Sequence, residues 1–217
     1  MPCISTIFNS NTFKNKRIFI LAGGPSLTGF DYSKLNSEIT IGINKTFQFY
    51  NSTMNFSLDL RFHNLIYTEK ETLLPAWKAY PGIKVFARWH NHHQFPSEIY
   101  TIKINNKRFH ISEDPTNGIF SGCNSAYGAM MLAISCGCRD IYFVGLDLKL
   151  SNEGKTHNHD GYKNQDADDL GRKLIGFRQE FENTSKMLLE AGIDIKVCYQ
   201  REIAETSIRC FPLTQIA

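Results

Sequence analysis

The 217-residue chain lacks any apolar run near the roughly 18 residues that a membrane-spanning helix needs. It also lacks internal repeats, low-complexity tracts and Pro- or Ser-rich linkers, which excludes solenoid, fibrous and disordered classes. Neither sign of charge dominates, because 24 Lys and Arg against 21 Asp and Glu give a net charge of +3. No basic run is long enough to predict specific nucleic-acid binding. The sequence therefore predicts a soluble globular protein.

The six cysteines do not form a metal-binding pattern. Cys136 and Cys138 are too close together for a normal zinc ligand pair, and no second pair supports them. We therefore expect buried, reduced thiols. The polar segment 1–13 does not resemble a signal peptide, so the predicted location is cytoplasmic.

Short apolar runs bounded by Gly or Asp predict strands buried on both faces, as in parallel sheets. Two amphipathic patterns predict helices over residues 121–136 and 170–191, the second one closed by Gly192. Alternating strands and helices predict an α/β fold: a single doubly wound Rossmann-like domain with a mainly parallel sheet. The domain covers residues 16–217 after an N-terminal lead-in at 1–15, and residues 88–120 are predicted as irregular structure or a short hairpin. The predicted strands are 17–22, 39–43, 56–60, 83–87, 140–145 and 194–198.

Ligands of such sheets bind outside the carboxyl ends of the strands, and small or polar residues follow the predicted strands there. The first is a glycine-rich turn, Gly23, Gly24, Pro25 and Ser26, whose backbone N–H groups could approach a phosphate closely. An ordinary tight turn is the alternative. The turn matches neither the G-x-G-x-x-G fingerprint nor a Walker loop, which disfavours a dehydrogenase or a P-loop enzyme.

Three further groups complete the candidate site. Ser121 and Gly122 are predicted to open a helix and to form a second phosphate-binding position, with a plain N-cap as the alternative. Asn44 follows a strand and could hydrogen-bond a base or ribose, although Asn is also common in turns. Asp59 and Asp147 lie at strand ends, where a carboxylate needs a metal, a hydroxyl or a backbone donor; for Asp59 the alternative is a salt bridge with Arg61.

His157 and His159 lie in the long polar stretch 151–165. Imidazole titrates near physiological pH, so either residue could act as a general base; a metal site with Asp160 or Asp147 and a mobile surface loop are the alternatives. A second group, His90, His92 and His93, has no acidic partner nearby and is not predicted as a site.

An ordered set of motifs runs along the chain: 21–27 (LAGGPSL), 31–35 (DYSKL), Asn44, Ser121-Gly122 and 140–147 (DIYFVGLD). In this set the chain resembles a superfamily that contains the bacterial lipooligosaccharide sialyltransferases of glycosyltransferase family 42 and the MptE-like 6-hydroxymethylpterin diphosphokinases. The resemblance covers most of residues 17–200. It implies a Rossmann-like fold and contacts to a CMP-sugar donor from Gly24, Pro25, Ser26, Asn44, Ser121 and Gly122.

The chain departs from the sialyltransferase pattern at three positions. The sialyltransferases have Asn where Gly23 stands, and they have Tyr soon after the G-x-D motif, where this chain has Leu148 and Lys149. Their catalytic His falls near Gly176, where there is no His. His157 and His159 match that His only if the segment is realigned.

Three functional hypotheses follow. The leading one is a transferase with a nucleotide-sugar donor of the CMP or UDP type and a small-molecule or glycan acceptor, which could lie at a membrane surface. In it, His157 or His159 acts as the base and Asp147 orients the substrate. The first alternative is an ATP-dependent diphosphokinase whose Mg²⁺ is held by carboxylates such as Asp59 and Asp147. The second alternative is a non-catalytic nucleotide-binding module, and a homo-oligomer is compatible with all three.

Overall fold

The computed structural model describes residues 1–88, 94–108, 110–148, 167–199 and 209–212. Within this part of the chain the strands are β1 (Arg17–Leu21), β2 (Ile39–Ile43), β3 (Met54–Ser57), β4 (Ile83–Arg88), β5 (Ile99–Lys103), β6 (Asp140–Val144), β7 (Asp194–Tyr199) and β8 (Arg209–Pro212). They form one sheet in the order β5-β4-β3-β2-β1-β6-β7-β8. The first seven strands are mutually parallel, and β8 pairs with β7 in the antiparallel direction.

Helices cover both faces of the sheet. The α-helices in the described residues are α1 (Leu60–Thr68), α2 (Leu73–Ala79), α3 (Ser125–Ser135) and α4 (Ala167–Glu190). Successive side chains of β1 point to opposite faces of the sheet. Ile18 and Ile20 pack in the cluster that contains α3 and α4, whereas Phe19 and Leu21 pack on the opposite face. The predicted doubly wound α/β fold with a mainly parallel sheet is confirmed.

The strand order reverses between β1 and β6. The chain moves outward from β1 through β2 to β5, crosses back through α3 to β6, and then moves outward the other way. Loops after β1 and β6 therefore diverge to opposite faces of the sheet and open a crevice at its carboxyl edge. The sequence predicts a ligand site along this carboxyl edge of the sheet, without placing it at the reversal of strand order.

Helix α3 is buried along its whole length, from Ser125 to Ser135. Its small residues let it lie close against the sheet: a Cβ on Gly128 would lie 2.9 Å from the Phe56 ring. Asn124 caps the helix, since its Oδ1 accepts the Tyr127 N–H at 2.8 Å. The chain entering α3 is thereby fixed beneath the crevice.

The predicted start of α3 is wrong. The sequence analysis placed it at Ser121, but Gly122 and Cys123 have φ angles of 55° and 58°, which a right-handed helix does not allow. The helix begins four residues later, at Ser125.

The predicted third strand and the predicted irregular segment also differ from the structure. Strand β3 ends at Ser57, because Asp59 Oδ1 accepts the Arg61 N–H at 2.8 Å and starts α1, a helix that was not predicted. In the segment 88–120, β5 pairs in parallel with β4 rather than forming a hairpin. Leu58 and Leu60 extended the apolar run past the strand, which explains the first error.

The cysteines follow the prediction only in part. Cys136 and Cys138 are buried free thiols, and burial raises their pKa values to about 12 and about 11. Cys123 is a free but exposed thiol, and Cys198 is disulfide-bonded, which contradicts the expected reduced state. Because disulfides are uncommon in reducing compartments, the cytoplasmic location stays a prediction. No helix among the described residues is long and apolar enough to cross a membrane.

Gly176 lies on helix α4, where the packing does not require a glycine. A Cβ on the exposed Gly176 would meet nothing within 4 Å, so Gly176→Ala should raise the free energy of unfolding by about 1 kcal/mol through helix propensity alone. Urea unfolding measures the change. The matched control is Gly137→Ala, which should destabilise the protein, because Gly137 has a φ of 93° and a Cβ there would lie 2.4 Å from Ser10 O. A destabilised Gly176→Ala variant would contradict the described surface of α4.

Candidate functional site

A cavity of about 450 Å³ occupies the crevice at the carboxyl ends of β1 and β6. This volume lies within the range of small-molecule sites. We call the cavity the cleft. Its walls come from the turn after β1, the end of β2, the starts of α1 and α3, the loop after β6, and the N-terminal half of α4. The lining residues are Ala22, Gly23, Gly24, Ile43, Asn44, Asp59, Arg61, Asn124, Ser125, Ala126, Gly145, Leu146, Asp147, Leu148, Lys173, Leu174 and Phe177.

Asp147 joins the two loops that diverge at the reversal of strand order. Its Oδ2 accepts the Ser26 N–H at 2.7 Å, and its Oδ1 accepts the Ser26 hydroxyl at 2.5 Å. Gly24 N–H donates to Gly145 O at 2.9 Å beside this pair. A Cβ on Gly24 would lie 2.5 Å from both Asp147 Oδ2 and Gly145 O, so only glycine fits there. The Ser26 N–H, one of the backbone groups predicted to approach a phosphate, therefore donates to the Asp147 carboxylate.

Asn44 lies on the cleft wall with its side-chain amide in a fixed orientation. Its Oδ1 accepts the Ser57 hydroxyl at 2.7 Å and the Ser125 hydroxyl at 3.4 Å. Each hydroxyl already accepts a backbone N–H, from Asp59 and Leu58 respectively, and so directs its own proton toward Asn44. The Nδ2 group has no partner among the described residues. Asn44 therefore presents a hydrogen-bond donor, suited to a carbonyl, hydroxyl or phosphate oxygen.

The start of α3 reaches the cleft through Asn124, Ser125 and Ala126. Ser121 and Gly122, the predicted phosphate-binding residues, are not among the lining residues. Ser121 is fully buried, and its Oγ accepts the Cys123 N–H at 3.4 Å. A Cβ on Gly122 would lie 2.6 Å from the Tyr127 ring, so this glycine serves packing against α3.

Two helices from opposite faces of the sheet complete the walls. Helix α1 contributes Arg61, which is exposed and has no ion pair among the residues that the structure describes. Helix α4 contributes Lys173 together with the half-buried Leu174 and Phe177. Asp59 lies at the same edge, where its carboxylate caps α1 as described above. The alternative considered for Asp59, a salt bridge with Arg61, is not observed among the described residues, and Asp59 instead accepts the Arg61 backbone N–H.

The structure brings five of the predicted site residues together. Gly23, Gly24, Asn44, Asp59 and Asp147 line one cleft. The remaining described candidates do not line the cleft. Pro25 and Ser26 belong to the short 3-10 turn bonded to Asp147, and Ser121-Gly122 precedes α3. His157 and His159 lie outside the described residues, as do His90, His92 and His93. Their roles stay predictions.

The sequence led to no predicted site role for four of the lining residues, Arg61, Asn124, Ser125 and Lys173. The sequence contained a signal for two of them, because Asn124-Ser125 directly before an apolar run is a stronger helix start than Ser121-Gly122. Arg61 and Lys173 gave no such signal, since cations on helices usually face solvent. Among the described residues no group of three or more His, Cys, Asp or Glu could hold a metal ion.

Comparisons with known proteins add no assignment. No protein-family model matches the chain, and no curated protein and no solved structure matches it significantly. The fold and the cleft therefore define the class as an α/β protein with a crevice at the reversal of strand order, and the resemblance to glycosyltransferase family 42 remains an expectation.

Replacing Asp147 tests whether its contact with Ser26 holds the cleft together. Asn has one acceptor oxygen in place of two and turns an NH₂ group toward a donor of Ser26, so Asp147→Asn should lower the free energy of unfolding by about 1.5–3 kcal/mol. Urea unfolding measures the loss. The control is Asp31→Asn, because Asp31 Oδ1 accepts the same two donor types from Ser33 at an exposed site and should matter far less. Equal losses in the two variants would contradict the account.

Proposed function

We propose that the protein is a transferase that uses a nucleotide-activated donor, with a nucleotide sugar of the CMP or UDP type as the leading case. The observation that carries this proposal is the convergence of Gly23, Gly24, Asn44, Asp59 and Asp147 on one cleft at the reversal of strand order. Nucleotides bind at this position in open α/β sheets. The resemblance to glycosyltransferase family 42 points to the same ligand class.

Three features of the cleft support nucleotide binding. The Nδ2 donor of Asn44 suits a base carbonyl or a ribose oxygen. Leu174 and Phe177 offer apolar surface for a ring, and Arg61 and Lys173 offer positive charge for a phosphate. A few fixed polar groups beside apolar surface are typical of small-molecule sites.

The proposed reaction is a substitution at the sugar. The acceptor hydroxyl oxygen bonds to the anomeric carbon of the sugar, and the bond from that carbon to the phosphate oxygen breaks. The nucleotide leaves with the electron pair of that bond. A base, His157 or His159 in the proposal, takes the proton of the hydroxyl. Positioning in the cleft and neutralisation of the leaving phosphate supply most of the acceleration.

The rival diphosphokinase needs Mg²⁺ on Asp59 and Asp147. Both carboxylates line the cleft, which is the observation in its favour. Both oxygens of Asp147 accept from Ser26, however, and Asp59 Oδ1 accepts from Arg61 N–H, so local structure already engages three of the four oxygens. A Mg²⁺ ion would share these oxygens with their present hydrogen-bond donors, which carboxylates permit, so the experiment below separates the two hypotheses. A non-catalytic nucleotide-binding module would use the same cleft without transfer.

Thermal stabilisation by nucleotides tests the proposal. We expect CMP or UDP, with EDTA present, to raise the unfolding temperature, since a ligand at 100 times its dissociation constant adds about 2.7 kcal/mol. In Asn44→Asp the carboxylate can still accept from both serines, but it loses the NH₂ donor and adds negative charge. This variant should therefore lose most of the shift. Asn36→Asp, a change at an exposed Asn away from the cleft, should keep the shift.

Three results would contradict the proposal. If no nucleotide raises the unfolding temperature of the wild-type protein, nucleotides are not its ligands. A shift produced by ATP only with Mg²⁺ present would instead identify the diphosphokinase. Binding of CMP or UDP without transfer from any donor sugar would leave the non-catalytic module.

A further inference from the structure

The charges around the cleft are not equivalent. Four charged side chains line it, Asp59 and Asp147 on one hand and Arg61 and Lys173 on the other. The carboxylates hold the walls in place through the donors of Ser26 and the start of α1. The Arg61 guanidinium has no ion pair in the part of the chain that the structure describes. An anionic ligand would therefore meet carboxylates that are hydrogen-bonded to the walls, together with the exposed side chains of Arg61 and Lys173.

The glycine-rich turn is a poor position for the phosphate of such a ligand. Asp147 Oδ2 already lies 2.7 Å from the Ser26 nitrogen, in the place that a phosphate oxygen would take to accept the same N–H. A phosphate beside it would repel the carboxylate in a partly buried setting, where charges interact more strongly than in water. The turn therefore shapes the cleft, and the phosphate must be held elsewhere.

Arg61 and Lys173 approach the cleft from opposite faces of the sheet. Phe62 and Ile66 pack α1 into a hydrophobic cluster with Trp77 and Phe86 on one face of the sheet. Phe181 and Leu188 pack α4 into the cluster that contains α3 on the other face. These four side chains are almost fully buried. Core packing therefore fixes the positions of the two helices that carry Arg61 and Lys173. A single anion in the cleft can thus be bound from both sides.

We propose that Arg61 and Lys173 bind the phosphate group of the ligand, and that residues 23–27 do not contact it. The proposal rests on the proposed nucleotide-binding function and specifies it further. The ligand class is a nucleoside monophosphate or diphosphate ester whose organic part lies against Leu174 and Phe177 and whose charge is neutralised by side-chain cations. Arg61 can bond two phosphate oxygens through its planar fork, and Lys173 contributes a point charge.

The test compares each nucleotide with its nucleoside, so that only the contribution of the phosphate is read. Dissociation constants of CMP and cytidine, and of UDP and uridine, are measured by calorimetry for the wild-type protein, Arg61→Gln and Lys173→Gln. Each variant should weaken nucleotide binding about tenfold or more and leave nucleoside binding unchanged, because only the charged contact is lost. Raising the salt concentration should weaken nucleotide binding in the wild type more than in the variants.

Arg172→Gln is the matched control. Arg172 precedes Lys173 on α4 and is exposed, but it is not among the residues that line the cleft. It should leave the affinity for the nucleotide unchanged. All three substituted side chains are exposed, so the unfolding temperatures without ligand should stay close to that of the wild type.

The outcomes separate this proposal from the function on which it rests. If the wild type binds CMP or UDP and both Arg61→Gln and Lys173→Gln retain the nucleotide affinity, the phosphate lies elsewhere and this inference is overturned while the proposed function stands. A similar loss in Arg172→Gln would also overturn it, because the effect would then be one of general charge. If the wild type binds no nucleotide, both proposals fail together.

Discussion

The hydrogen bonds between Asp147 and Ser26 are the interaction on which the site depends. They join the loop after β6 to the turn after β1, at the only place in the described sheet where the strand order reverses. An unpaired carboxylate in this partly buried position would be costly, so Ser26 must supply both its N–H and its hydroxyl. The close approach at Gly24 follows from the same contact, because Gly24 lies directly against the carboxylate.

A second set of hydrogen bonds connects the walls of the cleft at the ends of β2 and β3 and at the start of α3. Ser57 and Ser125 come from β3 and α3, and both donate to the side chain of Asn44 at the end of β2. The backbone of Asn44 has a φ of 50°, a left-handed conformation that Asn tolerates better than most residues. The cleft is therefore preorganised by polar contacts that engage the acceptors of Asn44 and Asp147. Among the described residues these contacts leave the Asn44 Nδ2 group and the Arg61 guanidinium without a partner. Such a surface favours an anionic, acceptor-rich ligand.

Much of the fold could be predicted from the sequence because its signals are local. Strand β2 has the predicted bounds, and Phe181, Thr184 and Leu188 of the predicted stripe on α4 are buried. Leu174 and Phe177, earlier in the same stripe, are half-buried and line the cleft instead of the core. The hydrophobic pattern cannot distinguish these two environments. Helix α1 was missed because its cap, Asp59, follows a strand so closely.

The candidate site was less predictable, because its chemistry depends on which groups meet. The sequence indicated that Gly24, Asn44 and Asp147 would lie at one edge. It could not show that Asp147 bonds Ser26, a contact between residues 121 positions apart. In the proposed binding mode, that contact makes the glycine-rich turn a structural element instead of a phosphate-binding one. It also makes Arg61 and Lys173, which belong to none of the sequence motifs, the proposed phosphate-binding residues.

A crystal structure of the protein with CMP or UDP bound tests this account most directly. We expect the nucleotide in the cleft, with its phosphate within hydrogen-bonding distance of Arg61 and Lys173 and with Asp147 still bonded to Ser26. A phosphate accepting the Ser26 N–H in place of Asp147, or a nucleotide bound outside the cleft, would contradict it.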